Sequence, residues 1–206
     1  MTHVLVPTAR FERWVVNFAD RHGGAEISVG AAALTGLALD GSTFRALLPF
    51  QRVYDGPPDP AAFGAAATAP DDWGVLLVRK GGFAVARLAG ARMIESKVGQ
   101  RHVQGRTKAG GQSQQRFARR RDNQARQAYE AAAEHAVRIL GQGPLPVVTG
   151  GDRSAVEEVL TDPRLGRLRV VEPWLPVPDP KRGVLEQAVK DACAVRIEVH
   201  NAEGPD

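Results

Sequence analysis

The stretch from Ser113 to Leu140 contains neither glycine nor proline, and its apolar residues recur with the period of a helix. Four residues share one face at about 100° per residue: Phe117, Ala125, Ala128 and Ala132. Three arginines lie on the opposite face: Arg116, Arg119 and Arg126. The pattern predicts a helix about 40 Å long, with a side that faces the core and a cationic side, ended by Gly141 and Gly143.

The segment before this helix, 99–111, has four glycines and no apolar run, which predicts a long exposed loop. From Lys97 to Arg126 there are nine basic residues and one acidic residue, Asp122. Because the formal charge of the whole chain is +4, the rest of the chain carries about −4. A basic projection on a mildly acidic body favours a nucleic-acid contact, and the alternative is a charged surface that is merely solvated.

The N-terminal third predicts a small α+β region. Helical spacing of apolar residues after Pro7 and Thr8 lasts until Gly23, and strand-like patterning from Ile27 to Phe50 contains the hairpin signal Asp40-Gly41. Residues 55–72 are rich in proline and alanine without periodicity, which is typical of a linker. We therefore expect two domains, 1–70 and 71–206.

The second domain is predicted to open with an antiparallel strand meander, followed by the loop and the long helix. The three strands of the meander are Val75–Arg79, Phe83–Leu88 and Arg92–Val98. After the helix, strands and helices alternate as strand 145–148, helix 154–160, strand 168–171, a helix from Val184 towards Cys193 and strand 194–199. This alternation predicts an α/β layer structure.

Few other sites are indicated. A single cysteine, Cys193, cannot form an internal disulfide, and the absence of a signal sequence or membrane span favours the cytoplasm. The five histidines have no ligand spacing, so no metal site is expected. The sequence VVTGGDRS at 147–154 is either an anion-binding turn or a tight turn with an Asp or Ser cap, and the second interpretation is favoured because Gly-Lys-Ser/Thr is absent.

Gly110, Gly111 and Gln112 form the uncharged tip of the basic segment. Glutamine is a poor general base, so its value lies in hydrogen bonding and positioning. Two glycines allow positive φ and let the backbone enter a crowded space, where an amide N–H can stabilise an oxyanion at an ester carbonyl.

The flanks of this tip carry a specific resemblance. The sequence GGQSQQRFARRRDNQ resembles the catalytic loop and following helix of archaeal and eukaryotic class I peptide-chain release factors, with Gly-Gly-Gln-Ser ahead of Arg116, Phe117, Ala118 and Arg119. The resemblance extends over about 73–199 and implies an RNase H-like catalytic domain. The first 70 residues lack the family's Asn-Ile-Lys-Ser and Tyr-x-Cys-x-x-x-Phe motifs, so the chain looks most like the compact actinobacterial peptidyl-tRNA hydrolases among the Vms-like release factors of ribosome rescue.

The resemblance implies codon-independent hydrolysis of the ester between a stalled nascent chain and tRNA in the large ribosomal subunit. Gln112 would position the water, with Gly110 and Gly111 shaping the loop. Six basic residues would hold phosphates of ribosomal RNA or tRNA: Arg106, Lys108, Arg116, Arg119, Arg120 and Arg121. No metal or organic cofactor is called for.

Two alternatives stay open, a nuclease that cuts tRNA near its 3′ end and a non-catalytic adaptor that binds RNA on stalled ribosomes. The sequence does not indicate an oligomeric state.

Overall fold

The computed structural model describes residues 2–100, 112–141 and 143–202, with side chains omitted for 112–125. In chain order the elements are β1 (Thr2–Val6), α1 (Thr8–Arg21), β2 (Ala25–Gly30), β3 (Ala33–Ala38), β4 (Thr43–Leu47), α2 (Pro60–Ala66), β5 (Trp73–Arg79), β6 (Gly82–Ala89), β7 (Arg92–Gln100), α3 (Gln112–Leu140), β8 (Pro146–Gly151), α4 (Arg153–Leu160), β9 (Arg169–Leu175), α5 (Arg182–Ala192) and β10 (Val195–His200). Short 3₁₀ helices lie at Pro49–Gln51 and Pro163–Leu165.

The chain divides into two compact units, and the division differs from the predicted one at the C-terminus. The first unit joins Met1–Ala69 with Lys190–Asp206, and the second is Pro70–Val189. The last strand was expected in the second domain, but β10 lies between β1 and β4 in the first unit's sheet, with Ile197 opposite both Val4 and Ala46. Val195 and Ile197 are fully buried there, so β10 completes the hydrophobic core of the first unit.

The first unit contains a five-stranded antiparallel sheet in the order β1-β10-β4-β3-β2. Its helix α1 buries Phe11, Val15 and Phe18, in agreement with the predicted amphipathic helix. The chain leaves α1 through Gly23 and Gly24, both at positive φ. The sequence predicted one strand pair between 27 and 50, whereas the structure contains three strands, because a second hairpin lacks the usual turn residues.

That second hairpin joins β2 to β3 through Ala31 and Ala32. Gly30 pairs with Ala33, so the connection has two residues, whose φ angles are 47° and 61°. Two-residue hairpins of this kind normally use Asn-Gly, because positive φ is costly for a residue with a Cβ atom. The predicted Asp40-Gly41 turn, with Gly41 at φ 86°, lies between β3 and β4 as expected.

We expect the double substitution Ala31→Asn/Ala32→Gly to raise the free energy of unfolding by about 0.5–1 kcal/mol, because it relieves the left-handed strain at this turn. Urea unfolding of the full chain measures the effect. Ala61→Gly is the control, since it makes an Ala-to-Gly change inside α2 and lowers stability by up to about 1 kcal/mol. Equal destabilisation by both variants would contradict the interpretation of the turn.

The predicted linker at 55–72 contains helix α2, which the sequence analysis missed. Asp59 caps the helix by accepting a hydrogen bond from the Ala62 amide at 2.6 Å. Phe63 is fully buried, with its ring centroid 5.0 Å from that of Phe11 and 4.7 Å from that of Tyr54. One buried aromatic side chain and a capping carboxylate therefore order a segment whose Pro/Ala-rich composition is typical of linkers.

The second unit has the mixed α/β architecture that the sequence predicted. Its sheet has the order β7-β6-β5-β8-β9, with β5, β6 and β7 forming an antiparallel meander and β8 and β9 running parallel to β5. Both faces of β5 are covered, since every residue from Trp73 to Val78 is buried. Helices α3 and α4 both pack against β5.

Neighbouring strands pack closely against the two glycines of the segment 147–154. A Cβ atom at Gly150 would lie 2.3 Å from the Leu175 carbonyl oxygen, and one at Gly151, where φ is 103°, would lie 2.2 Å from that of Val78. Asp152 stands at the N-cap of α4, but its carboxylate lies 3.5 Å from Arg79 and makes no capping bond. Strand packing therefore explains these glycines, which lie inside β8, and the side-chain cap of the tight-turn interpretation is not formed by Asp152.

Candidate functional site

Helix α3 carries the predicted basic face, and its C-terminal half is anchored in the core of the second unit. Most of the buried residues are alanines: Ala128, Ala132, Ala133, Ala136, Ile139 and Leu140. Small side chains allow the helix backbone to approach β6 closely. Leu140 packs so tightly over Gly74 of β5 that a Cβ atom there would lie 2.5 Å from its Cδ2. The base of the helix is therefore held by dense packing.

Ion pairs on two sides of α3 add to this packing. Arg138 of α3 donates to the carboxylate of Glu95 on β7. On the other side, Arg164 of the 3₁₀ helix Pro163–Leu165 lies 2.6 Å from Glu134 and 2.7 Å from Asp162. The bonds to Arg164 hold the pKa of the Asp162 carboxyl below its ordinary value. Because these ion pairs are largely exposed, each contributes little to the stability of the fold.

An aromatic contact links the end of β7 to α3. Gly99 lies directly against the Phe83 ring, because a Cβ atom at Gly99 would come within 2.3 Å of that ring. Phe83 in turn stacks on His135 of α3, with centroids 5.4 Å apart. Burial and the charges of Lys97 and Arg138 lower the pKa of His135, which keeps its ring neutral at neutral pH. The C-terminal end of β7 is thus packed, through the Phe83 ring, against helix α3.

The distance along α3 places Gln112 far from this anchored base. Ala128 is the first residue of α3 whose described side chain is buried, and Gln112 lies sixteen residues before it. At about 1.5 Å per residue this is about 24 Å along the helix axis. Arg126, which the sequence places on the predicted cationic face, is exposed and makes no ion pair with the described residues.

The predicted site residues themselves lie largely outside the described residues. Gln112 is the first residue of α3, and Arg116, Arg119, Arg120 and Arg121 belong to the same helix, but their side chains are outside the described part. The same holds for the whole of the remaining predicted set: Arg106, Lys108, Gly110 and Gly111. The roles of these residues stay predictions.

Sequence reasoning missed the residues that anchor the helix. Glu95 and Arg138 are 43 residues apart, and Arg164 and Glu134 are 30 apart, so no local pattern connects them. Cys193 is half-buried, and burial raises the pKa of its thiol to about 11. Among the residues that the structure describes, no group of three or more His, Cys, Asp or Glu side chains could hold a metal ion.

Comparison with known proteins identifies the family. A model of the Actinobacteria/chloroflexi VLRF1 release factors matches residues 71–198, well over half of the chain and including the segment with Gly110, Gly111 and Gln112. The chain belongs to this family. The VLRF1 match covers the second unit almost completely and extends into β10, a strand of the first unit's sheet, as far as residue 198.

Among solved structures, the VLRF1 chain matches the crystal structure of the archaeal translation termination factor aRF1 at 16% identity and a TM-score of 0.41. The match covers 78% of this chain and 47% of that one, so the VLRF1 chain corresponds to about half the length of the archaeal factor. No curated protein matches the sequence significantly. None of the described helices is both long and apolar enough to cross a membrane.

Proposed function

We propose that this VLRF1 family member is a ribosome-associated peptidyl-tRNA hydrolase that releases nascent chains from stalled large-subunit complexes. The observation that carries the proposal is the family match over 71–198, which includes the Gly-Gly-Gln-Ser sequence at 110–113. The anchored base of α3 supports it, because a group that works inside another particle's active site must be presented from a rigid element.

The reaction needs one water molecule and one ester. Water attacks the carbonyl carbon that joins the peptide to the 3′ oxygen of tRNA, a tetrahedral oxyanion forms, and the C–O bond then breaks to give a free peptide carboxylate and a tRNA hydroxyl. Gln112 positions the water through its amide, and its backbone N–H lies near the oxyanion. Gly110 and Gly111 allow this approach because they have no side chain.

The basic residues hold RNA behind this tip. Six side chains have this role: Arg106, Lys108, Arg116, Arg119, Arg120 and Arg121. Guanidinium groups suit phosphates because they form paired hydrogen bonds with two oxygens at once. The partners are accordingly peptidyl-tRNA and ribosomal RNA of the large subunit.

The state of the tRNA after the reaction tests the proposed bond. Stalled large-subunit complexes are incubated with the protein, and the 3′ end of the released tRNA is sequenced. An intact CCA end together with free peptide is the expected product. A shortened end would replace the hydrolase with a tRNA nuclease, and bound but unreacted complexes would favour the RNA-binding adaptor.

We expect the double substitution Arg119→Ala/Arg120→Ala to weaken binding to large subunits and to flatten its salt dependence. If each arginine neutralises one phosphate, the slope of log K against log salt falls by about 1.4–1.8. Cosedimentation over a salt series measures both quantities. The control removes two exposed arginines elsewhere in the second unit, Arg92→Ala/Arg169→Ala, and leaves the slope nearly unchanged. An identical loss in both variants would mean that net charge, and not the helix face, governs binding.

A further inference from the structure

A groove in the first unit has a chemistry that the proposed function does not use. It has a volume of about 620 Å³ and runs along α1, beginning where the chain leaves β1 at Val6 and Pro7. Four larger side chains line it: Arg10, Arg13, Trp14 and Asn17. They stand at i, i+3, i+4 and i+7, so they form one stripe along the helix. The volume is within the range of grooves that hold one small organic ligand.

The two arginines of this groove have no partner in the part of the chain that the structure describes. Arg10 and Arg13 are exposed and form neither an ion pair nor a side-chain hydrogen bond with those residues. Other arginines of the same unit differ: Arg45 lies 3.4 Å and Arg196 lies 3.7 Å from carboxylate oxygens of Glu198. Two guanidinium groups on consecutive turns thus face one groove, and no carboxylate of the described residues forms an ion pair with either of them.

Trp14 gives the groove a fixed aromatic wall. Its ring stacks on Phe18 at 5.7 Å and meets the edge of Phe44 at 5.3 Å, so the core of the first unit fixes its orientation. The rest of the half-buried ring lines the groove beside the two arginines. An indole that core packing holds in place offers a contact surface to a ligand at little entropic cost.

We propose that the stripe formed by Arg10, Arg13, Trp14 and Asn17 binds a nucleotide of single-stranded RNA. The two guanidinium groups bind the phosphate, and the base lies against the exposed part of the Trp14 ring. The Asn17 side-chain amide, which has both a donor and an acceptor, is placed to reach a base edge. This assigns an RNA contact to the first unit, separate from the basic face of α3, and it does not depend on ester hydrolysis.

RNA fits this combination better than an acidic peptide does. Carboxylates would satisfy the arginines, but they would leave the indole without a planar partner. A nucleotide supplies a phosphate and an aromatic base a few ångströms apart on one rigid unit. Charge and aromatic surface are the two elements of sequence-tolerant single-strand recognition.

The fluorescence of Trp14 tests the proposal on the full chain. Trp73 is fully buried, so replacing Trp174 with Phe leaves Trp14 as the accessible tryptophan. We expect a short oligoadenylate to quench this signal in a saturable manner. In the same background, Arg10→Gln/Arg13→Gln should raise the Kd by at least about 10-fold, because charge-assisted hydrogen bonds to phosphate are lost. The salt slope of the quenching should fall by about 1.4.

A matched control separates the groove from overall charge. Arg167→Gln/Lys190→Gln removes two positive charges at exposed positions outside the groove and leaves the quenching Kd within about 2-fold. Near-UV circular dichroism verifies that each variant is folded. Absence of quenching by RNA, an unchanged Kd in the Arg10/Arg13 variant, or equal quenching by hexaglutamate would overturn the assignment. Because the readout needs neither ribosomes nor peptide release, its failure would leave the proposed hydrolysis untouched.

Discussion

We expect the replacement of Gln112 by Ala to lower the single-turnover rate of nascent-chain release by on the order of 100- to 1000-fold, the usual cost of losing one preorganised group that positions water or stabilises an oxyanion. Binding to the ribosome stays close to that of the unaltered protein, because the glutamine side chain is uncharged and contributes little to phosphate contacts. Fold and stability should also persist, since Gln112 is the first residue of α3 and the described core contacts of that helix begin sixteen residues later, at Ala128.

The measurement is release of labelled peptide from stalled complexes at saturating protein, which separates the chemical step from binding. Gln115→Ala is the matched control, because it makes the same change three residues further along the helix and should leave release nearly intact. Release at the unaltered rate by the Gln112 variant would refute the proposed hydrolase mechanism. Unaltered binding in that case would make the RNA-binding adaptor the better hypothesis.

Elements with a long, regular pattern could be predicted from the sequence with good bounds. The predicted helix 113–140 is α3, Gln112–Leu140, and Gly141 ends it at φ 75°. Its buried face includes Ala128 and Ala132, as the 100° periodicity indicated. The three strands of the meander, β5, β6 and β7, also contain the predicted segments 75–79, 83–88 and 92–98. In each case the information is local, so a window of the sequence contains it.

The C-terminal strand and the second hairpin could not be predicted in the same way. Nothing in residues 195–200 indicates that they pair with β1 and β4, which lie near the other end of the chain, because strand pairing over this sequence distance depends on the whole fold. The turn at Ala31-Ala32 lacks the residues that normally mark positive φ, and the strands on either side impose its conformation. Tertiary structure overrides local preference at both places.

The same contrast between local patterns and long-range contacts applies to the candidate site. The motif at Gly110 to Gln112 and the basic helix are contiguous in sequence, so their composition alone indicated a basic segment with an uncharged tip. Two contacts anchor α3, namely Glu95 with Arg138 and Phe83 with His135. Both depend on how β7, β6 and α3 are aligned with one another. A contiguous motif can therefore be predicted from the sequence, whereas contacts between residues far apart in the chain need the folded structure.

The close approach of α3 to the sheet leads to a further expected result, for Ala132→Leu. Ala132 is fully buried against the second unit's core, and three extra carbon atoms there cannot be accommodated without shifting the helix. Overpacking of this kind costs about 1–3 kcal/mol of unfolding free energy. We expect a small shift at the base of the helix to displace Gln112 as well, and a misplacement of about 1 Å can reduce a rate on the order of 100-fold.

Two measurements on Ala132→Leu separate positioning from loss of folded protein. Urea unfolding gives the change in stability, and single-turnover release at saturating protein, below the unfolding transition, gives the rate. Glu130→Leu introduces the same side chain on an exposed position of α3, so it should leave the rate within a few-fold. A folded Ala132→Leu variant that releases peptide at the unaltered rate would show that the packing of α3 does not position the tip. A loss of rate with intact ribosome binding would instead mean that the buried alanines of α3 serve the reaction as well as the fold. These small residues set the distance between α3 and the sheet, and Gln112 lies at the N-terminal end of that helix.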